Sequence, residues 1–281
     1  MRTVDRIAEV RAAVATARAE GKRIGFVPTM GFLHDGHLGL VDEARRRAAF
    51  VVMSIFVNPL QFAPTEDLAR YPRDPAGDSA KASSRGVDLL FMPGGQEMYP
   101  REMRAEVIPC ALHRRWEGAA RPGHFTGVLT VVAKLFNIVQ PDVAIFGQKD
   151  VQQATLVRAM VEDLAIPTEI VVAPTTREPD GLAMSSRNSY LSATDRARAV
   201  TLSRSLFAIR EAFRRGERRG ENLLSIGRGV LDDEPSISLD YLALADGTTL
   251  EPVETGDERT IAMIAARVGR TRLIDNVVLG A

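Results

Sequence analysis

The chain has 281 residues, long enough for two ordinary domains, and 45% apolar with 26% charged residues is a globular composition. Lys+Arg and Asp+Glu both number 36, so no positive excess exists to hold a polyanion, which argues against nucleic-acid binding. The one cysteine, Cys110, excludes an internal disulfide and suits a reducing compartment.

The opening MRTVDRIAEV carries Asp5 and Glu9 where a secretory signal would be apolar. Val4, Ile7, Val10, Val14 and Ala17 recur at helical spacing, and Gly21 closes that helix. RIGFV (23–27) is predicted as a buried strand stopped by Pro28, and a helix is predicted over 37–49. FVVMSIFV (50–57) is apolar on both faces, as in the central strand of a parallel sheet. That run is far too short to cross a bilayer, so a soluble, cytoplasmic protein is expected. The loop at 58–75 contains four prolines, which argue against regular structure.

Beyond it the pattern predicts helices at 76–85, 126–139 and 151–164, and strands at 87–92, 143–146 and 168–172. Strand and helix thus alternate about five times, the signature of an α/β fold with a doubly wound parallel sheet. Such sheets bind ligands outside the carboxyl ends of their strands, so the loops just after strands are where chemistry is expected. After Pro174 the pattern changes. A long helix opens at Ser192, with Asp195 three residues on, and strands follow at 236–246, 260–268 and 272–279. The expectation is a Rossmann-like domain over 1–175 and a smaller α+β domain over 176–281.

PTMGFLHDGHLGL (28–40) places His34 and His37, two of only four histidines, between the first long strand and a helix. Residues three apart share a face of a helical turn, so both imidazoles can point at one ligand. A helix N-terminus offers free N–H groups and partial positive charge to an anion. Imidazole N–H donors add directional bonds that strengthen as phosphate oxygens gain charge in a transition state. A triphosphate suits this arrangement. A metal pair would need a third ligand, and none is spaced nearby. GxGxxG follows no predicted strand, which argues against a nicotinamide dehydrogenase.

The His-x-Gly-His pattern resembles the HxGH nucleotidyl-transfer superfamily, whose second phosphate-binding loop is of the KMSKS type. AMSSRNS (183–189) stands in the equivalent place, although it has no leading lysine and its one cation is Arg187. A closer resemblance rests on seven blocks in order: PTMGFLHDGH, FVNPLQF, YPRD, EMYP, RPGHFTGV, VVAKLFNIVQPDVAIFGQKDVQQ and DGLAMSSRNSYLS. Together they resemble the pantothenate synthetase (pantoate–β-alanine ligase) family of the coenzyme A pathway. The blocks cover residues 1–195 densely and the C-terminal third sparsely.

The resemblance implies a two-step reaction. Pantoate and ATP give pantoyl adenylate and pyrophosphate, and β-alanine then displaces AMP to give pantothenate. It implies that Met30, Gly31, Phe32, Leu33, His34, Asp35, Gly36 and His37 bind ATP. Gly147, Gln148, Lys149, Asp150, Thr176, Met184, Ser185, Ser186 and Arg187 join them, with His34, His37 and Lys149 as the catalytic groups. Gln61 and Gln153 are the implied pantoate contacts, with Gln61 also serving β-alanine. Asn58, in the same loop as Gln61, is a further pantoate candidate. The resemblance also implies a homodimer, and the use of ATP implies Mg²⁺. The adenylate needs protection from water, so the MSSRN loop and the smaller domain are expected to act as a lid. Family members carry paired acidic residues after YPR, but here YPRDPAGDS leaves Asp78 alone as the candidate metal ligand.

This chemistry matches the residues read on their own. A carboxylate is ionised at pH 7 and needs no general base to attack phosphorus; it needs alignment and charge neutralisation. Cations and N–H donors should therefore outnumber carboxylates, as His34, His37, Lys149 and Arg187 do. An amide side chain donates and accepts, which suits pantoate's hydroxyls and carboxylate. Lys149 and Gln153 are one helical turn apart, and Lys134, on an apolar helix, is expected to snorkel to water. For the β-alanine ammonium no strong base stands out; the adenylate phosphate and His37 are both open as proton acceptors.

The nearest rivals are a tRNA-charging enzyme, for which the chain lacks a basic face, and a transferase that retains AMP in its product. A catalytically silent nucleotide sensor on the same fold is the third, and the intact His34, His37 and Lys149 argue against it.

Overall fold

Runs that are apolar on both faces become the middle of the sheet. The computed structural model describes residues 1–63 and 68–281. The chain packs as two units, one of residues 1–147 with 156–174 and one of 148–155 with 175–281.

In the first unit β1 (Arg2–Val4), α1 (Ile7–Ala19), β2 (Ile24–Thr29), α2 (Asp35–Arg47), β3 (Phe50–Ile55), α3 (Pro75–Ser84) and β4 (Leu89–Phe91) follow in order. Short helices α4 (Gly95–Met98) and α5 (Trp116–Ala120), then α6 (His124–Val139) and β5 (Val143–Gly147), come next. Helix α7 (Val151–Asp163), whose first turn belongs with the second unit, leads to β6 (Glu169–Ala173). The strands form one sheet in the order β1-β4-β3-β2-β5-β6, and every pairing is parallel. Chain order reverses between β2 and β5, so the loop leaving β2 starts at the switch point where such sheets bind ligands.

Val27, Val51, Met53, Leu90 and Ile145 pack with Val41 and Ala44 of α2 on one face of the sheet. Elsewhere in this unit Phe26 meets Phe136 edge-on at 6.3 Å, and Phe136 meets Phe146 at 6.4 Å. Each such buried side chain contributes roughly 1.5–3 kcal/mol relative to exposure.

In the second unit Ser192 caps α8 (Ala193–Arg214), its hydroxyl accepting from the Asp195 N–H at 3.1 Å. Helix α9 (Gly220–Asp232) and the antiparallel strands β7 (Ile237–Ala245), β8 (Ile261–Val268) and β9 (Thr271–Val278) complete it. Leu202, Leu206, Ile209, Phe213, Leu223 and Ile264 form its core.

The doubly wound sheet and the α+β second unit agree with the sequence reading. Strand β1 and helix α9 were not foreseen. Strand β1 is only three residues long. Helix α9 is interrupted in the sequence by Gly227 and Gly229, which read as breakers. A Cβ on Gly227 would meet Ile209 Cδ1 at 2.6 Å, so glycine there is what lets α9 lie close to α8. Of the predicted proline-rich loop, residues 64–67 lie outside the described residues. Pro75 opens α3 rather than interrupting structure, at the first helical position where proline's missing N–H costs nothing.

Candidate active site

The turn Met30–Leu33 leaves β2 and delivers His34 as the N-cap and His37 as the third residue of α2. The helix thus begins two residues earlier than predicted, with the histidine pair at its mouth. The two rings lie 4.0 Å apart between centroids. The backbone N–H of His34 donates to His37 Nδ1 at 3.4 Å. Since that N–H can only donate, Nδ1 carries the lone pair and the hydrogen of neutral His37 sits on Nε2. His37 is therefore an N–H donor at a helix N-terminus, as an anion site requires. Leu33 is 2% exposed, so its side chain is core and only its backbone serves the turn. Asp35 is exposed.

Gly31 (φ 85°) and Phe32 (φ 51°) both lie in the left-handed region, which costs energy for a residue such as phenylalanine. Asp78, 1% exposed, holds them there. Its two oxygens accept the N–H groups of Phe32 at 2.8 Å and Leu33 at 2.6 Å. Lys81, one turn further along α3, donates to the Leu33 carbonyl at 2.7 Å. The candidate metal ligand thus has both oxygens turned to this loop. Among the described residues no group of three His, Cys, Asp or Glu side chains could hold a metal ion. Asp78 is therefore engaged in supporting this loop rather than offered to a magnesium ion.

Gln61, 8% exposed, ends a short 3-10 turn after Asn58. Asn58, expected as a ligand contact, is 1% exposed and fully engaged within the protein. Its Oδ1 accepts from Leu60 N at 3.3 Å and Tyr99 Oη at 2.8 Å. Its Nδ2 donates to Gly127 O at 3.1 Å and Gln61 Oε1 at 3.1 Å. Both hydrogens and both lone pairs are taken, so Asn58 supports Gln61 rather than offering itself to a ligand. Gln61 Nε2 faces Met30 Sδ at 3.2 Å, joining this loop to the Met30–Leu33 turn.

Two residues with no role in the sequence reading hold the Gln61 backbone. His124 Nδ1 lies 2.8 Å from the Gln61 carbonyl, and Arg121 Nη1 lies 2.9 Å from His124 Nε2. A guanidinium only donates, so Nε2 accepts and Nδ1–H donates to the carbonyl. Gly127 lets α6 press against the same loop: a Cβ there would meet Leu60 O at 2.2 Å and Gln61 N at 2.7 Å. Lys134 does not snorkel to water. Its ammonium donates to the Met98 carbonyl and lies 5.2 Å from the Tyr99 ring centroid, and burial lowers its pKa. Burial likewise pushes the Tyr99 phenol up to about 12.

The second unit carries the remaining candidates. Gln148, Lys149 and Asp150 form a 3-10 turn that leads directly into α7, where Gln153 lies. Lys149 Nζ lies 3.7 Å from Asp150 Oδ2. Gln148 Nε2 donates to Asn276 Oδ1 at 3.0 Å, so this side chain is turned to β9. The neighbouring Asp275, 4% exposed, takes a bidentate pair from Arg177 at 2.6 and 2.9 Å. Desolvation raises the Asp275 pKa, and Arg177 opposes that shift.

In the MSSRN loop Ser185 caps a 3-10 turn over Ser186–Tyr190, its hydroxyl accepting from Arg187 N at 3.2 Å. The Met184 N–H donates to the Thr176 carbonyl at 3.0 Å, and Asn188 Nδ2 donates to Ala183 O at 3.1 Å. The segment is a built turn with serine and arginine side chains on it.

The chain matches the family model described as pantoate-beta-alanine ligase over residues 2–278. It belongs to the pantoate–β-alanine ligase family. It is 50% identical over 280 residues to a pantothenate synthetase of Trichlorobacter lovleyi, covering 100% of this chain and 99% of that one. It is 52% identical to pantothenate synthetase 1 of Bradyrhizobium diazoefficiens, covering 99% and 98%. Among solved structures it is similar to the pantothenate synthetase of Thermus thermophilus, with a TM-score of 0.95 at 49% identity and full coverage of both chains. The Francisella tularensis ligase, solved with β,γ-ATP and β-alanine, matches with a TM-score of 0.81 at 33% identity over 100% and 98% of the two chains. The chain is an ATP-dependent ligase of this family, joining pantoate to β-alanine. Among the described residues no helix is long and apolar enough to cross a membrane.

Proposed function

We propose that this chain joins (R)-pantoate to β-alanine through a pantoyl adenylate, with roles divided between its two units. On the first unit the Met30–Leu33 turn, His34 and His37 bind ATP, and Gln61 holds pantoate. On the second, Lys149, Ser185, Ser186 and Arg187 serve the phosphates, Asp150 serves the ribose and Gln153 serves pantoate. One observation carries the first step. His37 is fixed as an Nε2–H donor by the bond into its Nδ1, beside His34 at the mouth of α2. Such donors gain strength as the α-phosphorus is attacked and charge moves onto phosphate oxygens.

In that step the pantoate carboxylate forms a bond to the α-phosphorus, and the bond to the bridging oxygen breaks with release of pyrophosphate. In the second step the deprotonated amine of β-alanine attacks the acyl carbon, and AMP departs. Uptake of the amine's proton by His37 at Nδ1 would break its bond from the His34 N–H. The phosphate oxygens that leave as AMP are therefore the better acceptor. Magnesium enters with the phosphates of ATP as part of the substrate. A homodimer in the cytoplasm completes the reading, supported by the family resemblance and by the lone cysteine.

The test is incubation with ATP and Mg²⁺, leaving out each acid in turn. Pantoate alone gives pyrophosphate exchange, and both acids together give AMP turnover. Exchange that needs β-alanine would contradict the order of steps.

A further inference from the structure

The amide of Asn58 has only one orientation open to it. A backbone N–H donates and a backbone carbonyl accepts, so Leu60 N fixes Oδ1 on one side and Gly127 O fixes Nδ2 on the other. The second hydrogen of Nδ2 meets Gln61, so the Gln61 atom at 3.1 Å is Oε1. The second lone pair of Oδ1 receives the Tyr99 hydroxyl at 2.8 Å. A one-way chain of donors thus runs from Tyr99 through Asn58 to Gln61, and it ends on the Gln61 amino group. Among the described residues that group meets a thioether at 3.2 Å, a weak acceptor.

We propose that Tyr99 and Asn58 are positioning residues which lock the Gln61 amide with its NH₂ toward the bound hydroxy acid, so that Gln61 recognises an acceptor oxygen of pantoate. The inference rests on the reading of Gln61 as a pantoate contact. Tyr99 touches no substrate in this scheme. Its hydroxyl fills the second lone pair of Asn58 Oδ1 and so adds one bond to an orientation that Leu60 N and Gly127 O already set. Its ring is held against Phe56 at 5.9 Å and beside Lys134 at 5.2 Å.

The test is a double-mutant cycle on the intact chain with Tyr99→Phe and Gln61→Ala, read as KM for pantoate and KM for ATP in pyrophosphate exchange. Wild type with and without pantoate is the first arm, and exchange without pantoate would overturn the substrate reading and the inference resting on it. Tyr99→Phe alone is expected to raise KM for pantoate about fivefold, the effect of one lost hydrogen bond, and to leave KM for ATP unchanged. In the Gln61→Ala background the same change should alter KM for pantoate by less than about 1.5-fold, because there is no amide left to orient. Asn58→Asp, which keeps size but removes both donors, should raise KM for pantoate further than Tyr99→Phe. An unchanged pantoate KM in Tyr99→Phe, or a full effect in the Gln61→Ala background, would overturn the proposal.

Discussion

Asn276 holds the turn that carries Lys149. From β9, at 2% exposure, its amide donates to the backbone carbonyls of both Gln148 and Lys149 at 2.9 Å, and its oxygen accepts from the Gln148 side chain at 3.0 Å. Three bonds from one buried side chain set the backbone from which the ammonium projects. Removing them leaves two carbonyls without this partner, at about 1–3 kcal/mol each if they stay buried. Asn276→Ala is expected to lower kcat for pantoate-dependent exchange about tenfold, the effect of ~1.4 kcal/mol on the barrier. Steady-state exchange kinetics check it.

His34→Ala and His37→Ala should each depress adenylate formation by at least about tenfold, ~1.4 kcal/mol. Single-turnover pyrophosphate release separates this from slow product release. Supplying preformed pantoyl adenylate should restore amide formation to within a few-fold of wild type.

Asp78→Asn distinguishes a metal ligand from a loop support. An asparagine in this place turns an NH₂ toward either the Phe32 or the Leu33 N–H, and donor against donor opens the left-handed turn. KM for ATP should rise about tenfold. A magnesium titration is the check: excess Mg²⁺ should not restore the rate, whereas a weakened metal ligand would be rescued by it.

Arg177→Met leaves Asp275 buried without its bidentate partner, so urea unfolding should show a loss of about 3–5 kcal/mol. Arg177→Met with Asp275→Leu should recover much of that loss, since the cost lies in the unpaired charge.

Tyr99 gives a pH signature. Its phenol is raised to about 12 by burial, against roughly 10 in an unfolded chain. A raised pKa means the folded state keeps the proton more tightly. This contribution to stability is complete below pH ~10 and is lost as pH climbs from about 10 to 12. Absorbance titration at alkaline pH should show Tyr99 ionising late, and Tyr99→Phe should reduce the late-ionising amplitude by one phenol.

The parallel sheet was legible because FVVMSIFV and VAIF are apolar on both faces, a pattern that few other environments produce. The histidine pair was legible because its spacing and its place after a strand are both local. Helix α9 was not, since Gly227 serves close packing against Ile209 and looks like a breaker in one dimension. Asn58 and Gln61 look alike in sequence because amides in one loop carry the same chemistry; only the four bonds around Asn58 show that its amide is fully engaged within the protein. Asn276 carries no local signal at all, because its partners lie 127 and 128 residues away. Lys134 reads as a surface lysine until the Met98 carbonyl that receives it is known.

Oxygen transfer from the acid to AMP is the decisive measurement. With pantoate labelled with ¹⁸O in its carboxylate, turnover with ATP and β-alanine should place one labelled oxygen in the phosphate of each AMP, since the attacking oxygen stays on phosphorus. AMP free of label, with the isotope kept in the amide product or lost to water, would contradict attack of pantoate on the α-phosphorus and with it the roles given to the histidine pair.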